Sequence, residues 1–203
     1  ADLVINEVVV ENIDGYTNEF GETHAWIEIY NNTTRTLDLS SIFITNDPNE
    51  PKKYAVPRGD NKTALAPHQQ VVFWADNKPS NGTFHLNFKL DPNKDNYIAL
   101  YEADGETLID ELTIPAGLQA NQSYGYEVDG TQNDNEGNHL AKVLPRVTPN
   151  SNNFVEGENA KIIALKENDP WGGLMTLTSM FVVFSGLFLL YIAFSGTGNL
   201  SKW

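Results

Sequence analysis

Four histidines, at positions 24, 68, 85 and 139, are the residues best suited to hold a metal or shuttle a proton, and their spacing does neither. No pair stands at the short separations of a zinc site and no HExxH run occurs. With no cysteine in the chain, a thiolate ligand, a disulfide and a Cys-based redox centre are all excluded. The segment from Asp129 to Asn138 (DGTQNDNEGN) is rich in oxygen donors of the kind calcium prefers, but it lacks the ordered spacing of an EF-hand loop, and a solvated turn explains it better. Glu7 and Glu28 are placed to face one another across neighbouring strands, as paired carboxylates do in acid–base sites. The plainer expectation is that acidic side chains of this chain hydrate an outer face. There is no G-x-S-x-G, no Walker loop and no Gly-rich dinucleotide fingerprint. The reading is therefore a non-enzyme with no catalytic, cofactor-binding or metal-binding residue of its own. Asn-x-Ser/Thr acceptors occur at Asn31, Asn32, Asn61, Asn81 and Asn121 and matter only in a host that glycosylates them.

The elements that would position these residues are strands. Short runs rich in Val, Ile, Tyr, Phe and Trp alternate with Gly, Pro, Asn and Asp clusters through the first 150 residues. The pattern predicts strands over Leu3–Val10, Ala25–Tyr30, Leu37–Thr45, Gln70–Ala75, Tyr97–Tyr101, Leu108–Ile114 and Ser123–Val128. In Ala25–Tyr30 the alternation puts Ile27 and Ile29 on one face and Trp26, Glu28 and Tyr30 on the other. Asp104-Gly105 is a hairpin turn between Leu100-Tyr101 and Leu108-Ile109. Seven such strands make an all-β fold, an immunoglobulin-like β-sandwich spanning residues 1–154. A mostly charged linker over 155–169 follows, in which Ala160–Leu165 could be a short helix or strand.

Charge and hydropathy then separate sharply. The chain carries 27 acidic and 13 basic residues for a net charge of −14, which excludes sequence-independent nucleic-acid binding. After Asp169 only Lys202 is charged, and Leu174–Phe194 is an apolar block broken by Thr, Ser and one Gly. As a helix it would be roughly 32 Å long, matching a hydrocarbon core of about 30 Å, with Trp171 and Tyr191 near its ends. Residues 170–203 are thus expected to hold one transmembrane helix and a short tail. At about 100° per residue, Thr176, Ser179, Val183, Gly186, Leu190 and Ala193 share a face of small side chains suited to a partner helix. Leu174, Leu177, Phe181, Phe184, Phe188 and Tyr191 share the bulky one. Lys161 and Lys166 lie on one side and Lys202 on the other, so basic residues do not decide the orientation. The absence of an initiator Met at Ala1 and the folded domain ahead of the helix set the expectation of a single-pass inner-membrane protein with its sandwich outside the cytoplasm.

Two resemblances follow from particular residues. Ile5-Asn6-Glu7-Val8, Trp26-Ile27-Glu28-Ile29-Tyr30-Asn31, Leu37-Asp38-Leu39-Ser40, Val71-Val72-Phe73-Trp74-Ala75-Asp76 and His85-Leu86-Asn87-Phe88-Lys89-Leu90 come in order. They are followed by Leu100-Tyr101-Glu102-Ala103-Asp104-Gly105, Ser123-Tyr124-Gly125 and Thr148-Pro149-Asn150. In this series the chain resembles the lamin-tail domain from about Leu3 to Phe154, with Asn150 where a Gly often follows Thr-Pro. That family implies an immunoglobulin-like interaction module, extracytoplasmic in bacteria, with no activity of its own. The second resemblance covers Pro170-Trp171-Gly172 through Phe194, with Ser179-Met180-Phe181-Val182-Val183-Phe184 at its centre. It is similar to the gamma subunit of sodium-pumping biotin-dependent decarboxylases, although Phe181 replaces a common Gly and the basic tail is missing. It implies a non-catalytic assembly subunit of a complex acting on oxaloacetate or a CoA thioester such as methylmalonyl-CoA. Biotin and sodium would belong to that complex, with a multi-spanning decarboxylase subunit and carboxyltransferase and biotin-carrying chains as partners. The alternative is a membrane-anchored extracytoplasmic binding or adhesion module.

Overall fold

The computed structural model describes residues 1–153 and 173–200, with side chains in the second segment described at 178–192, 194 and 195. It divides into two units, Ala1–Phe154 and Val155–Trp203. The expected linker over 155–169, with Ala160–Leu165 inside it, lies outside the described residues, as does Trp171.

The first unit is a β-sandwich. Its larger sheet contains β1 (Leu3–Val9), β2 (Trp26–Asn31), β7 (Gln70–Trp74), β10 (Ser123–Gly125) and β11 (Lys142–Val143), in the order β11-β10-β1-β2-β7. The facing sheet contains β4 (Phe43–Thr45), β5 (Tyr54–Ala55), β8 (Asn96–Tyr101) and β9 (Leu108–Ile114), in the order β5-β4-β8-β9. β3 (Leu37–Asp38) and β6 (Ala64–Leu65) form a separate antiparallel pair. Ile27, Ile29 and Phe73 of the first sheet pack with Ile44, Ile98, Leu100, Leu112 and Ile114 of the second in one core. Two-sheet burial of this kind supplies most of the driving force for such a domain.

The predicted strand over Leu37–Thr45 is two strands, because Ser41 takes φ 74° and turns the chain between them. β5, β6 and β11, two residues each, were beyond reach of a periodicity argument. In the β8–β9 hairpin only Gly105 is left-handed, at φ 68°, while the Asp104 carboxylate accepts the Glu106 and Thr107 N–H groups. The loop is thus an aspartate-capped turn closed by Glu102 N–H to the Thr107 carbonyl at 2.9 Å.

β1 and β2 are buried along their whole length, on both faces. The outer face of β2, bearing Trp26 and Glu28, is covered: Val9, Trp26, Val72 and Trp74 form a second apolar cluster against which Val147 packs. Trp74 is buried in this outer cluster rather than between the sheets. β1 carries a bulge between Ile5 and Glu7. The Ile5 N–H released there is taken by Asp110 Oδ2 at 2.8 Å, an unusual strand-to-strand tie between the two sheets.

The second unit contains α1 (Gly173–Leu200), the helix expected of the apolar block. Among the described residues no helix is long and apolar enough to cross a membrane. The expectation of a transmembrane span is therefore corrected to a single C-terminal helix.

Two outcomes test this packing. Residues 1–154 expressed alone should unfold cooperatively on heating, and Trp74→Ala should cost about 3 kcal/mol in denaturant unfolding. At Gly125, paired with Glu7 at the bulge, an added Cβ would lie 2.1 Å from the Asn6 carbonyl oxygen and 2.9 Å from Glu7 Cα. Gly125→Ala should cost about 2 kcal/mol or more, because backbone must shift to admit it.

Candidate functional site

The chemistry-bearing residues converge on the outer face of the larger sheet. β1 and β2 are antiparallel with Glu7 opposite Glu28, and both side chains are fully buried. They are not hydrating an outer face, because the segment Thr148–Asn153 crosses over them as a strap. Glu7 accepts the Thr148 N–H at 3.1 Å and lies 2.9 Å from Thr148 Oγ1. Glu28 accepts the Asn150 N–H at 2.7 Å and the Asn6 side-chain amide at 3.1 Å. Asp129 completes the group: it accepts the second Asn6 amide hydrogen at 2.8 Å and the Asn153 N–H at 3.2 Å. Asn150 can bind Glu28 because it stands at φ 55°, a conformation that Asn tolerates better than most residues.

Burial dominates the electrostatics here. It pushes the Glu28 carboxyl up to about 8, with Glu7 and Asp129 adding like-charge repulsion against the hydrogen bonds. Burial also raises Glu7, less so because Ser123 and Thr148 donate to it. This is the behaviour of close carboxylates in a low-dielectric site.

A second polar station lies toward β7. His85 is buried, with Nδ1 2.6 Å from Asp76 Oδ2 and Nε2 3.1 Å from Glu19 Oε1. Glu19 belongs to the loop joining β1 to β2, which is fastened at several other points. Asn12 donates to the Tyr16 and His24 carbonyls, Asn121 Oδ1 accepts the Ile13 N–H, Tyr16 stacks on Trp74 at 5.4 Å, and Lys78 pairs with Glu22 at 2.7 Å. Lys78 and His24 hold the Glu22 carboxyl well down, at about 2. Between this loop and the strap lies a cleft of about 300 Å³, lined by Val9, Asn12, Gly15, Tyr16, Asn121, Val147 and Pro149. Ile13, Tyr16 and Phe20 on the same loop are exposed by 61%, 39% and 57%.

Comparison with known families reads the same stretch of chain. The Lamin Tail Domain family matches residues 1–116, more than half of the 203. The chain belongs to the lamin tail domain family. The match ends before β10 and the strap, short of the likeness to Phe154 expected from the sequence. No curated protein and no solved structure matches the chain, so the likeness of α1 to a decarboxylase gamma subunit stands on the sequence alone.

Other expected positions fall out differently in this lamin tail domain. The oxygen-rich loop does not converge: Asp129 turns inward to the strap, while Asp134 caps the N–H groups of Glu136 and Asn138. Among the described residues no group of three His, Asp or Glu could hold a metal ion. Asn31 is buried with its amide given to the Arg35, Leu65 and Ala66 carbonyls, so it is a structural strut and no glycan acceptor. On α1, Val183 and Leu190 are exposed, an added Cβ at Gly186 would meet nothing, and Ser179 is exposed as well. The side chains of Thr176 and Ala193 lie outside the described residues. Phe181, Phe184 and Phe188 of the bulky face are equally bare.

Sequence reasoning missed Asn6, Asp129, Asn150 and Asn153. The available signal was Asn6, a poor strand former set within an apolar strand, which is justified only if its side chain has a partner.

The raised carboxyls fix a pH dependence. A folded-state value near 8 against 4.5 for an ordinary Glu means that folding takes up a proton in between. The stabilisation is complete below about 4.5 and fades as pH rises through about 8. The melting temperature should therefore fall steadily from pH 5.5 to pH 8.5 in a thermal titration, and a flat profile would contradict the buried pair.

Proposed function

We propose that this protein is a non-catalytic recognition module of the lamin tail type, tethered by its C-terminal apolar helix. The observation that carries this reading is the loop between β1 and β2. It exposes Ile13, Tyr16 and Phe20 beside an apolar cleft while Asn121 holds its backbone and His85, Trp74 and Lys78 hold its side chains. Exposed apolar groups on a rigid loop are an interaction signature, since ordering them costs little on binding. Glu11, Asp14, Glu19 and Glu22 share the loop, so the partner would be a protein with an apolar socket and a basic rim. The buried carboxylates point the same way: each is spent on the protein's own backbone and amides.

The helix supports tethering. Its described side chains are mostly apolar, with Phe181, Val183, Leu187, Leu190 and Ile192 all exposed. Such a surface calls for lipid or another apolar helix. With the longer apolar run of the sequence, this favours a membrane anchor and an extracytoplasmic sandwich. A second reading, assembly subunit of a sodium-translocating biotin-dependent decarboxylase, is favoured by the sequence of residues 170–194. In that reading Gly186 and its small-residue face dock a multi-spanning subunit.

Copurification of the full chain from native membranes separates the two: a biotinylated partner lost on Gly186→Leu supports the decarboxylase assembly, while its absence supports the recognition module. A photocrosslinker at Thr17, exposed on the same loop, should capture a discrete partner, and Ile13→Asp with Phe20→Asp should abolish that capture while shifting the melting temperature by less than about 3 °C. Equal crosslinking from an exposed control position such as Lys52 would sink the loop as the recognition surface.

A further inference from the structure

The strap is held by more acceptors than its hydroxyl can serve. Thr148 Oγ1 lies 2.9 Å from Glu7 Oε2 and 2.7 Å from Asn153 Oδ1. A threonine hydroxyl has one hydrogen. The Asn153 amide cannot be turned to relieve this, because its Nδ2 donates to the Tyr126 carbonyl at 2.7 Å, and a flip would set two oxygens against each other. The hydroxyl hydrogen therefore goes to Asn153 Oδ1. The contact between Thr148 Oγ1 and Glu7 Oε2 then needs a hydrogen of its own, and only the carboxyl can carry it. Glu28 is opposite Glu7 in the register and fully buried, so two negative charges are costly at this place and the two carboxyls titrate as a coupled pair, with hydrogen-bond geometry placing the shared proton on the Glu7 side.

We propose that Glu7 carries a proton on Oε2, donated to Thr148 Oγ1, and that this proton is a latch that closes the strap Thr148–Asn153 over β1 and β2. When it leaves, Glu7 Oε2 faces a hydroxyl already committed to Asn153, and Glu7, Glu28 and Asp129 face each other as anions. The strap then opens from Thr148 onward. Because Val147 and Pro149 form one wall of the cleft beside the β1–β2 loop, opening also removes that wall. The proposal does not depend on what occupies the cleft.

The titratable and charged groups around the latch come from each packed element. They are Glu28 and Tyr30 from β2, Asp129 from the turn after β10, and Tyr16, whose hydroxyl accepts Asn150 Nδ2 at 3.0 Å. Arg146 stands two residues ahead of Thr148 in the chain, and the Ser123 hydroxyl, which donates to Glu7, lies 3.4 Å from its carbonyl oxygen. The upward displacement of both glutamates by burial agrees with a retained proton.

The test uses the full-length chain in mild detergent, labelled with ¹³C at glutamate carboxyls only, so that aspartates are silent. In the wild type at least one glutamate carboxyl should titrate above about pH 6.5, clear of the ordinary range, and that resonance should be missing from Glu7→Gln. Hydrogen exchange, corrected for its intrinsic pH dependence, should show protection of residues 147–153 falling about tenfold or more between pH 6 and pH 9 in the wild type. In Glu7→Gln protection should stay level, because the amide Nε2 donates permanently to Thr148 Oγ1. Glu28→Gln should loosen the strap at every pH, since an amide nitrogen there meets the Asn6 amide donor. If all glutamates of the wild type titrate below about pH 6, or if strap protection is flat with pH, the latch is overturned. It is equally overturned if Glu28→Gln rather than Glu7→Gln removes the dependence.

Discussion

Two glutamates placed opposite each other in the middle of a sheet, both sealed from water, set the terms for the rest of this domain. A buried carboxylate without partners is among the most expensive groups a protein can hold. Every neighbour of Glu7 and Glu28 can be understood as an answer to that cost. Asn6 splits its two amide hydrogens between Glu28 and Asp129, and Gly130 N–H in turn satisfies Asn6 Oδ1. Thr148 and Asn150 supply backbone N–H groups, and Asn153 supplies one to Asp129. The bulge at Ile5–Glu7 and the bare Cα of Gly125 let the backbones come close enough for this arrangement to fit. A hydrophobic pair in place of the glutamates would pack more cheaply but would give the strap nothing to bind. The carboxylates thus specify where residues 148–153 lie more than they add stability.

The same face shows where sequence reasoning works in this chain and where it stops. Strands such as Leu108–Ile114 follow from alternation and β-branched content, which are local properties. The pairing of Glu7 with Glu28 was open to inference too, since both sit in strong strands close in sequence. Their burial was not, because it depends on a segment more than a hundred residues away that has no periodicity of its own. The Asp129–Asn138 stretch, read from its sequence as a solvated turn, is one at Asp134, which serves its own turn, whereas Asp129 faces the core. His85 is similar, since nothing in its spacing from Asp76 or Glu19 announces that β7 and the β1–β2 loop bring the three together. Short strands of two residues are invisible for a simpler reason, being too brief to show a period.

Family membership and geometry bear on different levels of function. The lamin tail match covers β1 to β9 but stops before β10, β11 and the strap that seals the larger sheet. Of the parts on which the proposed recognition rests, the pinned β1–β2 loop lies inside that match, while the segment after β11 and the apolar helix lie beyond it. Loops held by side-chain hydrogen bonds to a rigid sheet are a common way for such folds to acquire specificity without altering the core.

The strap is also the last stretch of the sandwich before the chain leaves for its second unit. If the helix is held fast, any pull on the domain enters at Asn153 and reaches Asn150 and Thr148 before it reaches a strand. These residues are fastened by a few hydrogen bonds that can be broken one after another, whereas β1 and β2 are bonded along their length and must yield together. Under tension the strap would therefore peel first, lengthening the tether by several residues while the two sheets stay intact, so that the domain behaves as a mechanical fuse with its own slack.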